Sequence, residues 1–301
     1  LNMKQWQSIE EHIAQVTGQA FSVGQQRSLG GGSINAAYLL IDDNSGNDNS
    51  GRRFFVKTNR TGRQDMFEAE CKGLEAMASS ETIRVPNPVC FGDDGNNSYI
   101  VMEYLEMQGR ADQAQLGQRL AEMHRLTQPR FGWDIDNTIG STHQPNSWTD
   151  DWLEFWRDHR LGYQLELAAK NGYGGELQSL GDKVLADFTQ LFAGHEVKAS
   201  MLHGDLWGGN VAGLGDGTPV IFDPAFYYGD READLAMTYV FGGFGADFYA
   251  SYQNAWPLDE GFAVRKTLYN AYHIINHLNM FGGGYHGQAI HMLEQVLAEI
   301  R

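Results

Sequence analysis

Residues 203–210, HGDLWGGN, leave the chain few choices of local structure. Two glycines weaken a helix there and the polar side chains do not suit a buried strand, so we predict a loop. Asp205 and Asn210 have the spacing D-x-x-x-x-N in this loop, and the aliphatic run VIFD ends at Asp223, 13 positions after Asn210. The sequence therefore predicts that a loop and the end of a strand present two carboxylates and an amide.

Length and composition place the chain among globular proteins with a sizeable core. It has 301 residues, enough for two domains or one bilobal unit, and 42% are hydrophobic. The net charge of −16 argues against nucleic acid or an anionic membrane as a partner, since polyanions are bound through Lys and Arg. Two cysteines in unrelated contexts, no signal peptide and no long apolar run predict a cytoplasmic protein.

The character of the sequence changes near residue 105, which predicts two units. The first unit, residues 1–105, is predicted to contain a hairpin from 30–42 and 52–58, a helix over 64–78 and a buried strand at 98–105. The second unit, residues 106–301, carries helical periodicity over 113–127, 149–170, 176–193, 261–280 and 286–301. We therefore predict an α+β fold, with a small antiparallel sheet followed by a larger, mostly helical part.

Phosphoryl transfer from ATP requires a set of parts that recur in a fixed order. They are a glycine-rich turn, a strand Lys, a helix Glu, a D-x-x-x-x-N loop and a metal-binding Asp at a strand end. This chain has each part in that order, from GGGSIN at 30–35 to Asp223. In this hypothesis Asp205 accepts the proton of the acceptor hydroxyl, and Asn210 and Asp223 hold Mg²⁺.

The glycine-rich turn is the weakest of these signals. Gly30, Gly31 and Gly32 let the backbone approach a phosphate, and the side chains of Ser33 and Asn35 can donate hydrogen bonds to it. Taken alone, the same segment is typical of a plain turn.

Lys57 is the predicted phosphate-binding lysine. Its neighbours Phe54, Phe55 and Val56 are apolar, which predicts a partly buried ammonium group that needs a carboxylate partner. Glu68 and Glu70 on the following helix are both candidates, and helical periodicity does not decide between them. Both are also typical of surface charge on a helix.

Larger parts of the sequence resemble a known family. HGD followed by DPA, in place of HRD and DFG, resembles the aminoglycoside-phosphotransferase and choline-kinase-like branch of the kinase fold. Longer strings, spread from about residue 30 to 285, are similar to fructosamine kinases (ketosamine-3-kinases): FFVKTNR, MFEAE, RVPNP, VMEYL, HGDLWGGNV, DPAFYYGDREADLAM, FGGF and FGGGY. The resemblance implies a bilobal protein-kinase-like fold, with a nucleotide-binding lobe at 1–105 and a helical lobe at 106–301 that carries the catalytic loop and acceptor site.

The resemblance also implies an activity: phosphorylation by ATP and Mg²⁺ of the sugar 3-hydroxyl of a ketosamine, an amine-linked 1-deoxy-ketose, as a deglycation repair step. It favours Glu70 over Glu68 as the partner of Lys57. The hinge that binds adenine is implied at Met102, Glu103, Tyr104 and Leu105. Some members of the family carry a redox-sensitive Cys in the glycine loop; Ser33 stands there, so we predict no such switch.

The acceptor site is predicted from aromatic and polar side chains near Asp205. Trp207 can form a wall against the sugar or amine, because a ring face attracts C–H groups and cations; packing in the core is the alternative. Asn146, Trp148 and Asp151 are expected on the far side of the acceptor.

Other residues near these motifs are predicted to have structural roles. Helical spacing places Trp152, Phe155 and Trp156 in the core, Asp234 is predicted to accept backbone N–H bonds from the catalytic loop, and His124 to be a satisfied histidine on a helix face. His273, His277 and His286 could contact substrate, but packing is the better interpretation.

Two other functions stay open at the level of the sequence. One is a kinase for another amine-bearing small molecule, such as an aminoglycoside or choline. The other is a nucleotide-binding pseudokinase without turnover, although none of the kinase parts is missing.

Overall fold

The computed structural model describes residues 3–30, 34–43 and 51–300. Its first elements form a sheet with two helices: α1 (Gln7–Thr17), β1 (Val23–Leu29), β2 (Ala36–Asp42), β3 (Arg53–Arg60), α2 (Gln64–Ser79), β4 (Pro88–Asp93) and β5 (Asn97–Glu103). The five strands pair in the order β1-β2-β3-β5-β4, each pair antiparallel. This order puts β3, and Lys57 with it, at the centre of the sheet.

The rest of the described chain is mostly helical with short strands. In chain order these elements are α3 (Gln113–His124), β6 (Thr127–Gln128), β7 (Asn137–Ile139), β8 (Thr142–Gln144), α4 (Trp152–Trp156), α5 (Gly162–Lys170), α6 (Glu176–Asp187), β9 (Ala199–Leu202), β10 (Val211–Gly213), β11 (Pro219–Ile221), β12 (Tyr227–Gly229), α7 (Arg231–Met237), α8 (Ala246–Ala255), α9 (Phe262–Phe281) and α10 (His286–Glu299). A π-helical turn at Arg157–Leu161 joins α4 to α5. The predicted α+β class is confirmed.

The sheet separates two hydrophobic clusters. Along β5 the side chains alternate, because successive residues of a strand point to opposite faces. Tyr99 and Val101 join α1 in a small outer cluster, whereas Ile100 and Met102 join α2 and the helical part in the main core. The sheet is therefore held between α1 and the rest of the molecule, with its inner face toward the helical part.

Most predicted elements are confirmed, and the exceptions have clear reasons. β2 and β3 form the predicted hairpin, whose tip at 44–50 lies outside the described residues. The predicted core residues Trp152, Phe155 and Trp156 are buried. β1 was not predicted, because VGQQRSL is a polar edge strand. α7 was also missed, because it has only seven residues and its charged Glu232 and Asp234 are buried along with the apolar ones, so its sequence has no amphipathic period.

The predicted boundary at residue 105 stays a prediction. The sheet ends at Glu103 and the next helix begins at Gln113, so the nine residues between them connect the two parts. Among the described residues, no helix combines the length and apolar character that a membrane crossing requires.

Candidate active site

A cleft of about 970 Å³ lies where the sheet faces the helical part. Its lining includes twelve of the predicted site residues: Gly30, Asn35, Lys57, Glu70, Met102, Glu103, Tyr104, Leu105, Asp205, Trp207, Asn210 and Asp223. Gly31, Gly32 and Ser33 lie outside the described residues. Residues far apart in sequence thus face one space, as a shared site requires.

Lys57 links the sheet to the helical part. Its buried ammonium group donates to Glu70 Oε1 and, at 2.9 Å, to Asp223 Oδ1. Glu68 instead pairs with Lys72 on the surface of α2, so the structure brings Glu70, not Glu68, to Lys57. Burial alone would lower the pKa of Lys57, but the charges of Asp223 and Glu70 outweigh it and raise this pKa above its usual value. Lys57 therefore stays charged.

His203 and Asp234 fix the predicted catalytic loop, residues 203–210, from inside. His203 Nε2 lies 2.6 Å from the carbonyl of Phe222, and its Nδ1 accepts from the backbone N–H of Asp205 at 3.1 Å. The partners imply a neutral ring protonated at Nε2, and burial lowers the pKa of His203. Asp234 accepts from the backbone N–H groups of His203 and Gly204, each at 2.9 Å, so its predicted bracing role is confirmed.

His124 on α3 completes this support. Its Nε2 lies 2.8 Å from Asp234 and its Nδ1 lies 2.8 Å from the hydroxyl of Tyr252, both in the core. The prediction of a satisfied helix-face histidine is confirmed.

The glycine of HGD has a steric explanation. Gly204 has φ +89°, and a Cβ there would lie 1.9 Å from the carbonyl oxygen of Ala225. Ala225 N–H also donates to the carbonyl of His203 at 2.8 Å, so the two motifs pack backbone against backbone. Asp223 itself has φ 53°, an unusual conformation for a residue with a side chain, and one that recurs at functional sites.

Gly208 and Gly209 lie in the predicted loop, and lack of room explains why both are glycines. Both lie outside the set of glycines with left-handed φ; they belong to a single 3₁₀ turn. A Cβ on Gly208 would lie 2.9 Å from the carbonyl of Gly242, and one on Gly209 would lie 2.2 Å from the ring of Trp207. Glycine is therefore needed for space: one lets the 241–244 loop approach, and the other lets the indole lie over the catalytic loop.

Asp205 and Asn210 have the chemistry of a base and a cation ligand. Burial, reinforced by the nearby charge of Asp223, raises the pKa of Asp205 to about 7. Asn210 Nδ2 donates to the carbonyl of Asp205 at 2.9 Å, which leaves its oxygen toward the cleft. Asp223 gives one oxygen to Lys57, and about half of its side chain is exposed. Oxygen donors of this kind fit Mg²⁺.

The predicted hinge offers backbone groups to a ligand. Glu103 is not free to do so through its N–H, which donates to the carbonyl of Asn87 at 2.8 Å. Its carboxylate accepts from Arg84 at 2.6 Å and from the N–H of Asn87 at 2.7 Å. Within the described part of the chain, no backbone hydrogen bond involves Tyr104 or Leu105, so their N–H and C=O groups can face adenine.

Asn35 is oriented by a neighbour in β3. Asn59 Nδ2 donates to Asn35 Oδ1 at 2.7 Å and to the carbonyl of Ile34 at 3.1 Å. The oxygen of Asn35 is thus used inside the sheet, and its amide N–H groups are left for an anion in the cleft.

Three residues predicted at the acceptor site are not among the described residues that line the cleft. Asn146 is fully buried and bonded to Arg160 and Asn137, so no polar atom is left to meet a substrate. Trp148 donates to Asp134 on the surface, and Asp151 caps α4 by accepting from the N–H of Glu154. We therefore do not assign Asn146, Trp148 or Asp151 to the acceptor site.

Aromatic side chains form that end of the cleft instead. Trp207 is joined there by Phe241, His277, Phe281 and Tyr285. Phe241 comes from FGGF, and Phe281 and Tyr285 come from FGGGY. In both strings glycines lie next to aromatic residues, and this pattern was the available sequence signal for these cleft residues. A sequence cannot show that these loops meet.

His273 also borders this end of the cleft. It is 4% exposed, and within the described structure its Nδ1 has no hydrogen-bond partner. Burial, helped by the charges of His277 and Arg160, lowers its pKa to about 3. The imidazole is therefore neutral at physiological pH.

Comparison with known proteins agrees with this geometry. The family model described as fructosamine kinase matches residues 5–299. The chain belongs to the fructosamine kinase family. A "probable ketoamine kinase" of Synechocystis is 48% identical over 97% of both chains, and the chloroplastic protein-ribulosamine 3-kinase of Arabidopsis thaliana is 43% identical over 94% of this chain and 86% of its own.

Solved structures show the same fold. A family member from Haemophilus somnus, named for fructosamine-3-kinase, superposes with a TM-score of 0.86 at 28% identity over 98% of this chain and 99% of its own. The choline kinase of Streptococcus pneumoniae shares the fold alone, with a TM-score of 0.63 at 14% identity over 98% of this chain and 99% of its own. The predicted protein-kinase-like fold and the predicted fructosamine kinase family are both confirmed.

Proposed function

We propose that this fructosamine kinase transfers the γ-phosphoryl group of ATP to the 3-hydroxyl of a ketosamine, fructosamine or ribulosamine, as a step in deglycation. One observation carries the proposal: Lys57, Asp205 and Asp223 converge on one cleft in a chain of this family. The relatives' names, ketoamine kinase and protein-ribulosamine 3-kinase, support the acceptor class.

The residues divide the chemistry between them. The acceptor oxygen attacks the γ-phosphorus, the bond from that phosphorus to the β–γ bridging oxygen breaks, and the hydroxyl proton passes to Asp205. Lys57 binds the phosphates with a charge that Glu70 holds in place. Asn210 and Asp223 would hold Mg²⁺, which neutralises phosphate charge when bound.

The raised pKa of Asp205 suits a base. A carboxylate with a pKa of about 7 has more affinity for a proton than an ordinary one, and it is still substantially ionised near neutral pH. The hinge at Tyr104 and Leu105 would bind adenine through its backbone. Mg²⁺ dependence, these site assignments and a cytoplasmic location stay predictions.

The other acceptor classes have less support. The likeness to choline kinase is at 14% identity and shows the fold alone. A pseudokinase is not favoured either, since the charged residues that turnover needs are present and face one cleft.

A substrate panel tests the proposal directly. The protein is incubated with ATP and Mg²⁺ and, in turn, ribulosyl-lysine, fructosyl-lysine, kanamycin and choline, and ³¹P NMR identifies the products. We expect a 3-phosphate on a ketosamine. The Asp205→Asn variant should lose at least about 100-fold in kcat while ATP still binds, because the amide cannot accept the proton. Phosphate on kanamycin or choline alone, or near-normal turnover by Asp205→Asn, contradicts the proposal.

A further inference from the structure

Arg160 is a fully buried cation in the π-helical turn that joins α4 to α5. Its described partners are all neutral, three oxygens and two rings: the carbonyls of Pro145 and His159, the side chain of Asn146 and the faces of Phe155 and Tyr227. Burying a cation that has no carboxylate partner is costly, and π-helical turns recur at functional sites. Such a residue is expected to have a role beyond packing.

One hydrogen bond of Arg160 sets the direction of a buried chain of amides. A guanidinium can only donate, so the Asn146 side chain turns its oxygen to Arg160, at 2.6 Å, and its nitrogen away. That nitrogen donates to Asn137 Oδ1 at 2.9 Å. Because the oxygen of Asn137 is then used, its own nitrogen is left to donate to the carbonyl of Phe226, at 2.8 Å. The donors therefore all point one way, from the cation to a backbone carbonyl.

A second branch reaches the same stretch of backbone. The hydroxyl of Tyr272 donates to Gln144 Oε1 at 2.6 Å, so the nitrogen of Gln144 is left to donate. It does so to Asn137 Oδ1 at 2.9 Å and to the carbonyl of Ala225 at 3.3 Å. The three amide side chains are buried, where an unmade hydrogen bond is costly. The carbonyls of Ala225 and Phe226 are thus held by two branches that meet at Asn137.

The backbone held in this way directly follows Asp223. Asp223 has φ 53°, an unfavourable conformation that persists only where its surroundings hold it. On the other side, the N–H of Phe222 donates to the carbonyl of Asn210 at 3.1 Å, and the carbonyl of Phe222 lies 2.6 Å from His203 Nε2. The chain is therefore fixed both before and after Asp223, and the buried amides hold the side after it.

We propose that Arg160 and Asn146 are positioning residues for the metal site: through Asn137 they fix the backbone that presents the Asp223 carboxylate to the cleft. This inference rests on the proposed function, in which Asp223 holds Mg²⁺. Neither Arg160 nor Asn146 is among the described residues that line the cleft, so both act only through the amide chain. Groups that orient a metal ligand from behind typically contribute about 10–100-fold to metal affinity, an effect that is measurable without turnover.

The test measures how strongly Mg²⁺ supports nucleotide binding. Isothermal titration calorimetry gives the Kd of AMP-PNP, an ATP analogue that does not transfer its γ-phosphoryl group. The Kd in EDTA divided by the Kd in Mg²⁺ is the metal ratio. In Asn146→Asp the new carboxylate still accepts from Arg160 but cannot donate to Asn137. We expect the metal ratio to fall about tenfold, while the Kd in EDTA stays within about twofold.

Two variants of Arg160 test the direction of the chain. Arg160→Lys keeps a cation that can only donate, so its metal ratio should stay within about threefold of that of the unchanged protein. Arg160→Gln can present either amide atom to Asn146, so the direction is no longer imposed and the metal ratio should fall about tenfold.

Asn270→Asp is the matched control for placing a carboxylate at a buried amide. Asn270 is buried and donates to the carbonyl of Ala236 at 2.8 Å, outside the amide chain. This variant should lose stability in urea unfolding, because a buried carboxylate replaces a donor, but its metal ratio should stay within about twofold.

The failures are distinguishable. If Asn146→Asp and Arg160→Gln keep the metal ratio of the unchanged protein, or if Asn270→Asp loses as much, the positioning role is overturned and the proposed function stands. If the unchanged protein binds AMP-PNP equally well in Mg²⁺ and in EDTA, the metal site fails, and this proposal with it. The expected falls in a protein that phosphorylates no ketosamine would support the positioning role and contradict the proposed acceptor.

Discussion

The two ends of the cleft are built on different principles. At the nucleotide end, Lys57, Glu70 and Asp223 form a charged group joined by two ion pairs and supported by the central strand and α2. At the acceptor end, accessible rings dominate and the nearby His273 is neutral. The first end fixes charges before a ligand arrives, and the second offers apolar surface with few hydrogen-bonding requirements.

The difference follows from what each end must recognise. In the proposed reaction the triphosphate and its Mg²⁺ would be the same in every turnover, so fixed charges at fixed distances would lower the cost of reorganisation. The proposed acceptor varies in the part that is attached to the reacting sugar through the amine. Ring surfaces tolerate such variation better than buried polar groups do, because each buried polar group left without a partner costs free energy. Three substitutions probe this comparison, at the charged end, at the junction and at the acceptor end.

The largest effect is expected from Lys57→Met. Loss of the ammonium group removes a phosphate ligand and leaves Glu70 buried beside Asp223, so kcat/KM for ATP should fall at least about 100-fold. Steady-state kinetics at varied ATP measure this. Lys72→Met, which breaks the exposed pair with Glu68, is the matched control and should behave like the unchanged protein. A fall of less than tenfold in Lys57→Met would mean that the use of ATP does not depend on the ammonium group of Lys57.

At the junction of the two ends, Gly204→Ala should destabilise the fold by about 3 kcal/mol and lower kcat. The added Cβ would collide with the carbonyl of Ala225 and the backbone would keep an unfavourable φ, which displaces Asp205. Urea unfolding and kcat measure the two effects. Gly174→Ala is the control, because its Cβ meets open space. Equal stabilities for the two variants would contradict the packing of HGD against DPA.

The smallest effect concerns the neutral state of His273. Its pKa of about 3 in the folded protein lies below the ordinary value of 6.5, so stability due to the neutral ring is present above pH 6.5 and is lost as the pH falls toward 3. Between pH 7 and 5 this loss is about 2 kcal/mol in the free energy of unfolding.

A His273→Phe variant removes this loss, so its stability should decline less steeply over that pH range, as measured by urea unfolding at pH 7, 6 and 5. Parallel curves for the variant and the unchanged protein would show that the pKa of His273 is not lowered in the fold. Below pH 6.5 the acceptor end would then carry a cation of its own, contrary to the comparison above.

The accuracy of the sequence-based predictions depended on the range of the interactions involved. The hairpin of β2 and β3 and the helix α2 were predictable, because period and turn chemistry are local. Asn146 was misplaced because a polar residue near aromatic ones has the same sequence pattern whether it faces a ligand or a buried Arg160. The reason for Gly208 was also out of reach, since Gly242 lies more than 30 positions away.

The sequence by itself determined the family, the fold class and the order of the kinase parts, because each depends on residue identity and spacing along the chain. Tertiary structure decided between Glu70 and Glu68 as the partner of Lys57, where the family resemblance only favoured Glu70. It alone decided that Gly204 and Gly208 are glycines for lack of room and that five rings from three segments meet at the acceptor end. The physical reason is that steric exclusion and ion pairing act across space, and a one-dimensional pattern does not contain the distances that govern them.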